Sequence, residues 1–328
     1  MTFMSGISII CFAGSYTVAL ALELSRLLFR SAVRGFVLLG FAGAGLVAHS
    51  AFLYYRALRT NGTPLSSSQD WFLLAAWVLV VVYLYLLCYY PKTNFGLFLL
   101  PLVLGLIGTA KYCADARPFG QMPASKVWGL IHGTSILLAT VTVLVGFAAG
   151  MMYLHQSARL KRKHAPGRGV RLPSLEWLAR LNSRAIVLSV LMLGVGVLSG
   201  VVLNLIQARR RGAPLPWNDP VILATLVMFA WLLAATLINA FSRPARRGHK
   251  VAYLTVASFV FLAIALAVGL FLNTQHGVPR NQGAMPAGKK GTGTVAATFL
   301  ILPNQVVPRS QSPFFADPTG FPRQRTEN

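Results

Sequence analysis

Apolar residues in this chain fall into long blocks that contain no charged side chain. Eight such runs span residues 1–22, 35–55, 71–91, 93–110, 127–154, 185–208, 220–242 and 251–275. A helix that crosses a bilayer needs about 20 apolar residues, whereas a strand of a membrane barrel needs about 10 in an alternating pattern. The continuous runs therefore predict an all-α, polytopic membrane protein, built as a bundle of eight transmembrane helices.

The two ends of the chain differ in character. The first run has no basic segment before its apolar stretch, which favours a retained first helix over a cleaved signal peptide. Residues 276–328 are rich in Gly, Pro, Ser and other polar residues, a composition typical of a disordered segment. We therefore expect an eight-helix membrane domain over residues 1–275 and an external, mostly disordered tail over residues 276–328.

The charge balance is strongly basic, with 30 Lys and Arg against 7 Asp and Glu. In a soluble domain this balance would indicate nucleic acid, but here the basic residues lie in short loops between apolar runs. The loops on one side carry 16 basic residues and those on the other side carry 8. Because basic loops are retained in the cytoplasm, we expect no nucleic-acid partner and a bacterial inner-membrane protein with both termini extracytoplasmic.

The longest internal loop is expected over residues 156–182. It combines a basic run at residues 159–163 with an amphipathic segment, residues 175–181, that contains Trp177. These features predict a stretch that lies on anionic membrane lipid, with a docking site as the alternative.

Histidine is the residue type that could carry chemistry. None of the eight runs contains Asp, Glu, Lys or Arg, which argues against a proton-coupled carrier. The three cysteines form no CxxC pair. By helical rise, His132 and His49 lie about 9 and about 10 Å from the outer loops, and His276 follows the last run. These three are candidate ligands of a metal or haem iron, with hydrogen bonding across the bundle as the alternative. The others lie in basic cytoplasmic stretches and are expected to face solvent: His155, His164 and His249.

The outer loop before the seventh run has a composition that could hold an amphipathic ligand. It runs from three arginines at 209–211 to Trp217, Asp219 and Pro220. Trp217 could stack on a flat ring while the arginines bind its carboxylates, and haem has that shape. Alternatively, Trp217 anchors the interface, and Asp219 before Pro220 caps a helix.

Four segments resemble the CcsA/ResC/HemX family of cytochrome c assembly proteins, over roughly residues 5–280. They are Trp128-Gly-Leu-Ile-His132; Leu172-Pro-Ser-Leu-Glu-Trp-Leu-Ala-Arg-Leu-Asn-Ser-Arg184 with the glycines at 194, 196 and 200; His49 followed by Pro64-Leu-Ser-Ser; and His276-Gly277.

The resemblance implies roles for the candidate residues. His132 and His276 would be the two axial ligands of a haem b on the outer face, and His49 would match a further family histidine. Trp217 and Asp219 would be the remains of a tryptophan-rich haem-binding loop. That loop here lacks most of its tryptophans and a Lys-Glu pair. Asn239 lies near the place where the family has a histidine in the seventh helix.

The function implied by the resemblance is cytochrome c biogenesis of the system II type. The chain would present haem at the extracytoplasmic face for attachment to apocytochrome c, together with a CcsB/ResB-type membrane partner, and if active would be part of a haem-lyase complex. The alternatives are a HemX-like regulator of tetrapyrrole synthesis without haem ligation activity, and a haem exporter.

Overall fold

The apolar runs form α-helices in a computed structural model of the chain. It describes residues 8–26, 33–59, 65, 67–116, 126–162, 170–211, 218–241 and 244–272. The helices are α1 (Ile9–Ser25), α2 (Val33–Arg59), α3 (Ser68–Tyr89), α4 (Gly96–Tyr112), α5 (Lys126–Lys161), α6 (Leu175–Arg211), α7 (Pro220–Phe241) and α8 (Pro244–Phe271). Within these described ranges the fold is entirely helical. The predicted tail and His276 lie outside the described residues.

Length and composition make this a multi-pass membrane protein. Six of the described helices, α2, α3 and α5 to α8, are long and apolar enough to cross a bilayer. Two apolar helices, α1 and α4, are shorter, with 17 residues each. At 1.5 Å per residue such a helix is about 25 Å long, slightly less than the hydrocarbon core of a typical bilayer.

The helices form two groups of four that meet along α5. Helices α1 to α4 pack on one another, α5 to α8 pack on one another, and α5 also contacts α3 and α4. In the apolar stretch of α5, 67% of the residues are buried within the protein, compared with 17% in the apolar stretches of α7 and α8. Helix α5 is therefore the central helix of the described bundle, and the rest of the described chain leaves most of the apolar surface of α7 and α8 uncovered.

Cross-helix contacts define two ends of the bundle. At one end, which we call the His132 end, the end of α2 and the starts of α3 and α5 come together with the end of α6. At the other, the Glu23 end, the end of α1 meets the α3–α4 connection and the segment before α6. The start of α7 lies beside the end of α8, since Gly269 approaches Val221.

A buried carboxylate organises the Glu23 end. Glu23 lies just beyond the first charge-free run, yet it belongs to the last turn of α1 and has no exposed surface. It pairs with Arg26 at 3.3 Å and accepts hydrogen bonds from Tyr83 and Asn94. Asn94 in turn exchanges backbone and side-chain hydrogen bonds with Arg171 before α6. The network therefore joins both halves of the bundle through a charged group that the apolar pattern did not predict.

The prediction of a long loop over residues 156–182 is wrong for both of its ends. Helix α5 continues to Lys161 and α6 already begins at Leu175, so the amphipathic segment is the first two turns of a spanning helix. Leu178 is fully buried, and Trp177 packs edge-on against Tyr90. The apolar face of this segment is covered by protein rather than by lipid, because it continues the packed face of α6.

His249 is also better packed than its basic surroundings suggested. Its Nε2 lies 2.8 Å from the Ser157 hydroxyl, and its Nδ1 lies 3.4 Å from the Tyr153 hydroxyl. His249 therefore links α8 to α5 instead of facing solvent. His155 is exposed, as expected, and His164 lies outside the described residues.

Candidate functional site

His132 lies in the second turn of α5, at the contact with α6. Its Nδ1 is 2.7 Å from the backbone carbonyl oxygen of Gly196. A carbonyl oxygen only accepts hydrogen bonds, so Nδ1 carries the proton and the lone pair of the neutral ring is on Nε2. The same carbonyl accepts a hydrogen bond from the Ser199 hydroxyl at 2.9 Å.

Two glycines of α6 make room for this arrangement. A Cβ at position 200 would lie 2.9 Å from Cε1 and 3.0 Å from Nδ1 of His132. A Cβ at position 196 would lie 2.7 Å from Cδ1 of Ile136. The spacing of four residues places both glycines on one face of α6, and small residues so spaced allow helices in membranes to approach closely. The α5–α6 contact is therefore a close backbone packing with the His132 ring seated in it.

His132 thus forms a hydrogen bond across the bundle, which was the alternative to metal ligation, and the same kind of bond also occurs in metal-ligating histidines. Such histidines commonly donate the second ring N–H to a backbone carbonyl or carboxylate, which sets the tautomer and the orientation of the ring. The side chain is also partly exposed rather than enclosed. The Gly196 carbonyl therefore fixes the tautomer and the orientation of the His132 ring.

His49 is in a different environment. It lies in α2 with no exposed surface, and its ring stacks on Phe12 of α1 at 4.1 Å with an interplanar angle of 5°. Its Nδ1 is 3.4 Å from the Tyr16 hydroxyl. Nε2 is buried and has no hydrogen-bond partner among the described residues. Protein encloses this ring, so the surroundings leave no room for a flat macrocycle beside Nε2.

Asp219 begins α7 as a helix cap. Its Oδ1 accepts a hydrogen bond from the Val221 backbone N–H at 2.9 Å, and the side chain is buried. Pro220 follows at the first helical position, where its missing N–H costs nothing. This geometry favours the capping alternative for Asp219. Trp217 lies outside the described residues, and the arginines at 209–211 are the last residues of α6 rather than part of a loop.

Asn239 takes part in a contact between helices. Its amide donates to the Ser183 hydroxyl at 2.8 Å, so it joins the end of α7 to the start of α6. That contact lies at the opposite end of α6 from Gly196 and Gly200. The structure therefore separates Asn239 from His132, and it separates His49 from His132 as well, since His49 of α2 packs against α1 in the other half of the bundle.

The sequence analysis did not identify an aromatic residue that contacts Gly133, the residue after His132. The ring of Trp71, in the first turn of α3, lies against Gly133. A Cβ at position 133 would be 3.0 Å from Cε2 of Trp71 and closer still to Cζ2 and Cη2. Nothing local in the sequence signals this contact, because the two residues belong to different halves of the bundle.

The fold and site define a multi-pass helical membrane protein with a partly exposed histidine, bonded to the neighbouring helix, near one end of its central helix. The family described as Cytochrome C assembly protein matches residues 41–276 of the chain. The chain belongs to this family, as the sequence resemblance predicted, and it acts in cytochrome c biogenesis. No curated protein matches the chain at a significant level.

Membership of this family implies that the chain handles haem, and the candidate residues differ in how well they fit that group. His132 fits an axial ligand, since its tautomer leaves the lone pair on Nε2 and Gly200 leaves space for its ring. His49 does not fit, because Phe12 and Tyr16 cover its ring. Asp219 is engaged in capping α7. Binding of haem by His49 or Asp219 stays a prediction that this geometry does not support.

The packing of His132 on α6 leads to a prediction on stability. Gly200→Ala should lower the free energy of unfolding by about 1–3 kcal/mol, because the added Cβ would press on the His132 ring. Gly129→Ala is the matched control: it adds a methyl on α5 with no atom within 4 Å, and should leave stability unchanged or slightly raised. Thermal unfolding of the detergent-purified variants measures both. Equal midpoints for the two variants would contradict the close α5–α6 packing.

Proposed function

We propose that the chain binds haem at the extracytoplasmic face of a bacterial inner membrane and presents it for attachment to apocytochrome c. The observation that carries this proposal is the hydrogen bond from His132 Nδ1 to the Gly196 carbonyl, with the ring seated over Gly200. In this proposal His132 and His276 are the two axial ligands of a haem b. Eight membrane-crossing helices hold the site, and both termini and a disordered tail, residues 276–328, lie outside.

His132 would act as a preoriented ligand. The Gly196 carbonyl keeps the proton on Nδ1, and a hydrogen bond of this kind also raises the basicity of the opposite nitrogen. Because α6 fixes the orientation of the ring in advance, the His132 side chain would lose little conformational entropy when iron binds. Hydrogen bonds of this kind orient the ligating histidines at established metal sites.

Haem, when bound, supplies vinyl groups that can accept the thiols of an apocytochrome. The chain itself need not supply a nucleophile, since the cysteines come from the apocytochrome. Its residues would orient the macrocycle and shield the iron by imidazole ligation, which is catalysis by positioning. The described outer segments are short, so a CcsB/ResB-type membrane partner would help to hold the apocytochrome.

The orientation is supported by the distribution of basic residues over the two ends. Arg26 contacts Glu23 and Arg171 contacts Asn94 at the Glu23 end, and Lys92 lies in the α3–α4 connection at the same end. Fewer basic residues are expected at the His132 end, among them Arg56, which pairs with Asp70. Under the positive-inside rule the Glu23 end would face the cytoplasm and the His132 end would face outward.

The capping geometry of Asp219 favours a second candidate function. If the loop before α7 only anchors and caps a helix, the chain would be a HemX-like regulator of tetrapyrrole synthesis without haem ligation activity.

Haem binding is tested first on the histidines. The purified chain should carry b-type haem with a low-spin, bis-histidine spectrum, and His132→Ala should abolish the low-spin form because one axial ligand is lost. His155→Ala, an exposed residue at the other end of the same helix, should keep the wild-type spectrum. Absorbance and electron paramagnetic resonance spectra measure the outcome. An unchanged haem spectrum in the double variant His132→Ala plus His276→Ala would reject the ligand assignment and favour the regulatory function.

Native cysteines allow a test of orientation. Cys113 caps the end of α4 at the His132 end, Cys88 lies in the last turn of α3 at the Glu23 end, and both are exposed. In single-cysteine variants, a membrane-impermeant maleimide should label Cys113 in intact spheroplasts and Cys88 only after permeabilisation. Labelling of both in detergent serves as the control for thiol reactivity. The reverse pattern in spheroplasts would place the His132 end in the cytoplasm.

A further inference from the structure

The first turn of α3 is held by a capping box and also by polar contacts to two other helices. Ser67 and Asp70 form a capping box, with hydrogen bonds of 3.1 and 3.3 Å between side chain and backbone in both directions. Arg56 of α2 forms an ion pair with Asp70. Gln69 donates from its side chain to the Ala110 carbonyl of α4 at 2.9 Å. Helices α2 and α4 therefore both fix the residue that follows, Trp71.

Trp71 is carried by this fixed turn to the side of the His132 site. Its ring lies against Gly133, which is the residue next to His132 on α5. Successive residues on a helix are about 100° apart around its axis, so Trp71 packs on the face of α5 adjacent to the one from which His132 contacts α6. Helix α3 thus contributes the Trp71 ring beside Gly133, and α6 contributes the backbone surface against which the His132 imidazole packs.

The indole N–H of Trp71 differs from those of two other tryptophans in the spans. Trp77 donates to the Ser50 hydroxyl at 2.8 Å, and Trp231 donates to the Ser258 hydroxyl at 3.1 Å. Trp71 has no hydrogen-bond partner among the described residues, and its side chain is partly exposed. A rigid tryptophan with an uncommitted N–H beside a ligand histidine is suited to contact a flat, amphipathic molecule.

We propose that Trp71 is a haem-contacting residue of the His132 site, whose indole packs against the macrocycle. This inference rests on the proposed function and adds a residue from the N-terminal half of the bundle to the site. It also addresses the reduced tryptophan content of the loop before α7, because Trp71 supplies a large aromatic surface next to the axial ligand. The contact would contribute to affinity and orientation, while His132 would determine the spin state.

The test separates macrocycle contact from iron ligation with two probes. The purified full chain is titrated with ferric haem and with iron-free protoporphyrin IX, and binding is followed by Soret absorbance and tryptophan fluorescence quenching. Trp71→Ala should raise the Kd for both probes by about tenfold, since loss of an aromatic contact of this kind is worth roughly 1.4 kcal/mol, and haem that does bind should stay low-spin. His132→Ala should weaken haem binding but leave protoporphyrin binding nearly unchanged.

Two further variants keep the result interpretable if Trp71→Ala folds poorly. Trp71→Phe retains an aromatic ring and should recover most of the affinity for both probes. Trp77→Phe, in the same helix but bonded to Ser50, should bind as the wild type does. A wild-type Kd for both probes in Trp71→Ala or an equal loss in Trp77→Phe would overturn this inference alone. Failure of the wild-type chain to bind ferric haem would instead overturn the proposed function.

Discussion

The close approach of α5 and α6 is the constraint on which the rest of the site depends. Without side chains at Gly196 and Gly200, the two backbones come near enough for a carbonyl of α6 to accept a hydrogen bond from His132 Nδ1. A larger residue at either position would push the helices apart or displace a side chain of α5. The tautomer and orientation of the candidate ligand are therefore consequences of helix packing, and the packing is a consequence of two glycines four residues apart.

The same central helix joins the two halves of the bundle. At the His132 end, Gly133 allows Trp71 of the N-terminal half to lie against α5. At the Glu23 end, Asn94 bonds to both Glu23 and Arg171, so a buried ion pair and its hydrogen bonds connect the same two halves. The candidate haem site thus lies where the halves meet, which is a common location for ligand sites between groups of helices.

The sequence predicts the helices well because the length of an apolar run is a local signal. The run at 127–154 lies within α5, and the run at 220–242 overlaps α7 almost completely. Helix ends are less predictable, since charged and amphipathic residues continue a helix as readily as apolar ones. For this reason α6 begins at Leu175, well before its apolar run, and both ends of the expected surface loop are helical.

Contacts between helices are the part that the sequence could not predict. The spacing of Gly196 and Gly200 is a local sign of close packing, but it does not show that His132 is the residue seated there. The enclosed ring of His49 and the position of Trp71 depend on which faces of distant helices meet. The resemblance to the family was more informative for function than the residue pattern, because it implied His132 and His276, out of six histidines, as the axial ligands.

Replacement of the ligand by a small molecule tests the central claim most directly. His132→Gly removes the imidazole and leaves a space beside Gly200 that free imidazole can fill. If His132 ligates haem iron through Nε2, the variant should lose the low-spin spectrum and regain it on addition of imidazole, and 2-methylimidazole, which is hindered next to the ligating nitrogen, should restore it less well. A low-spin spectrum in His132→Gly without imidazole, equal to that of the wild type, would contradict the account.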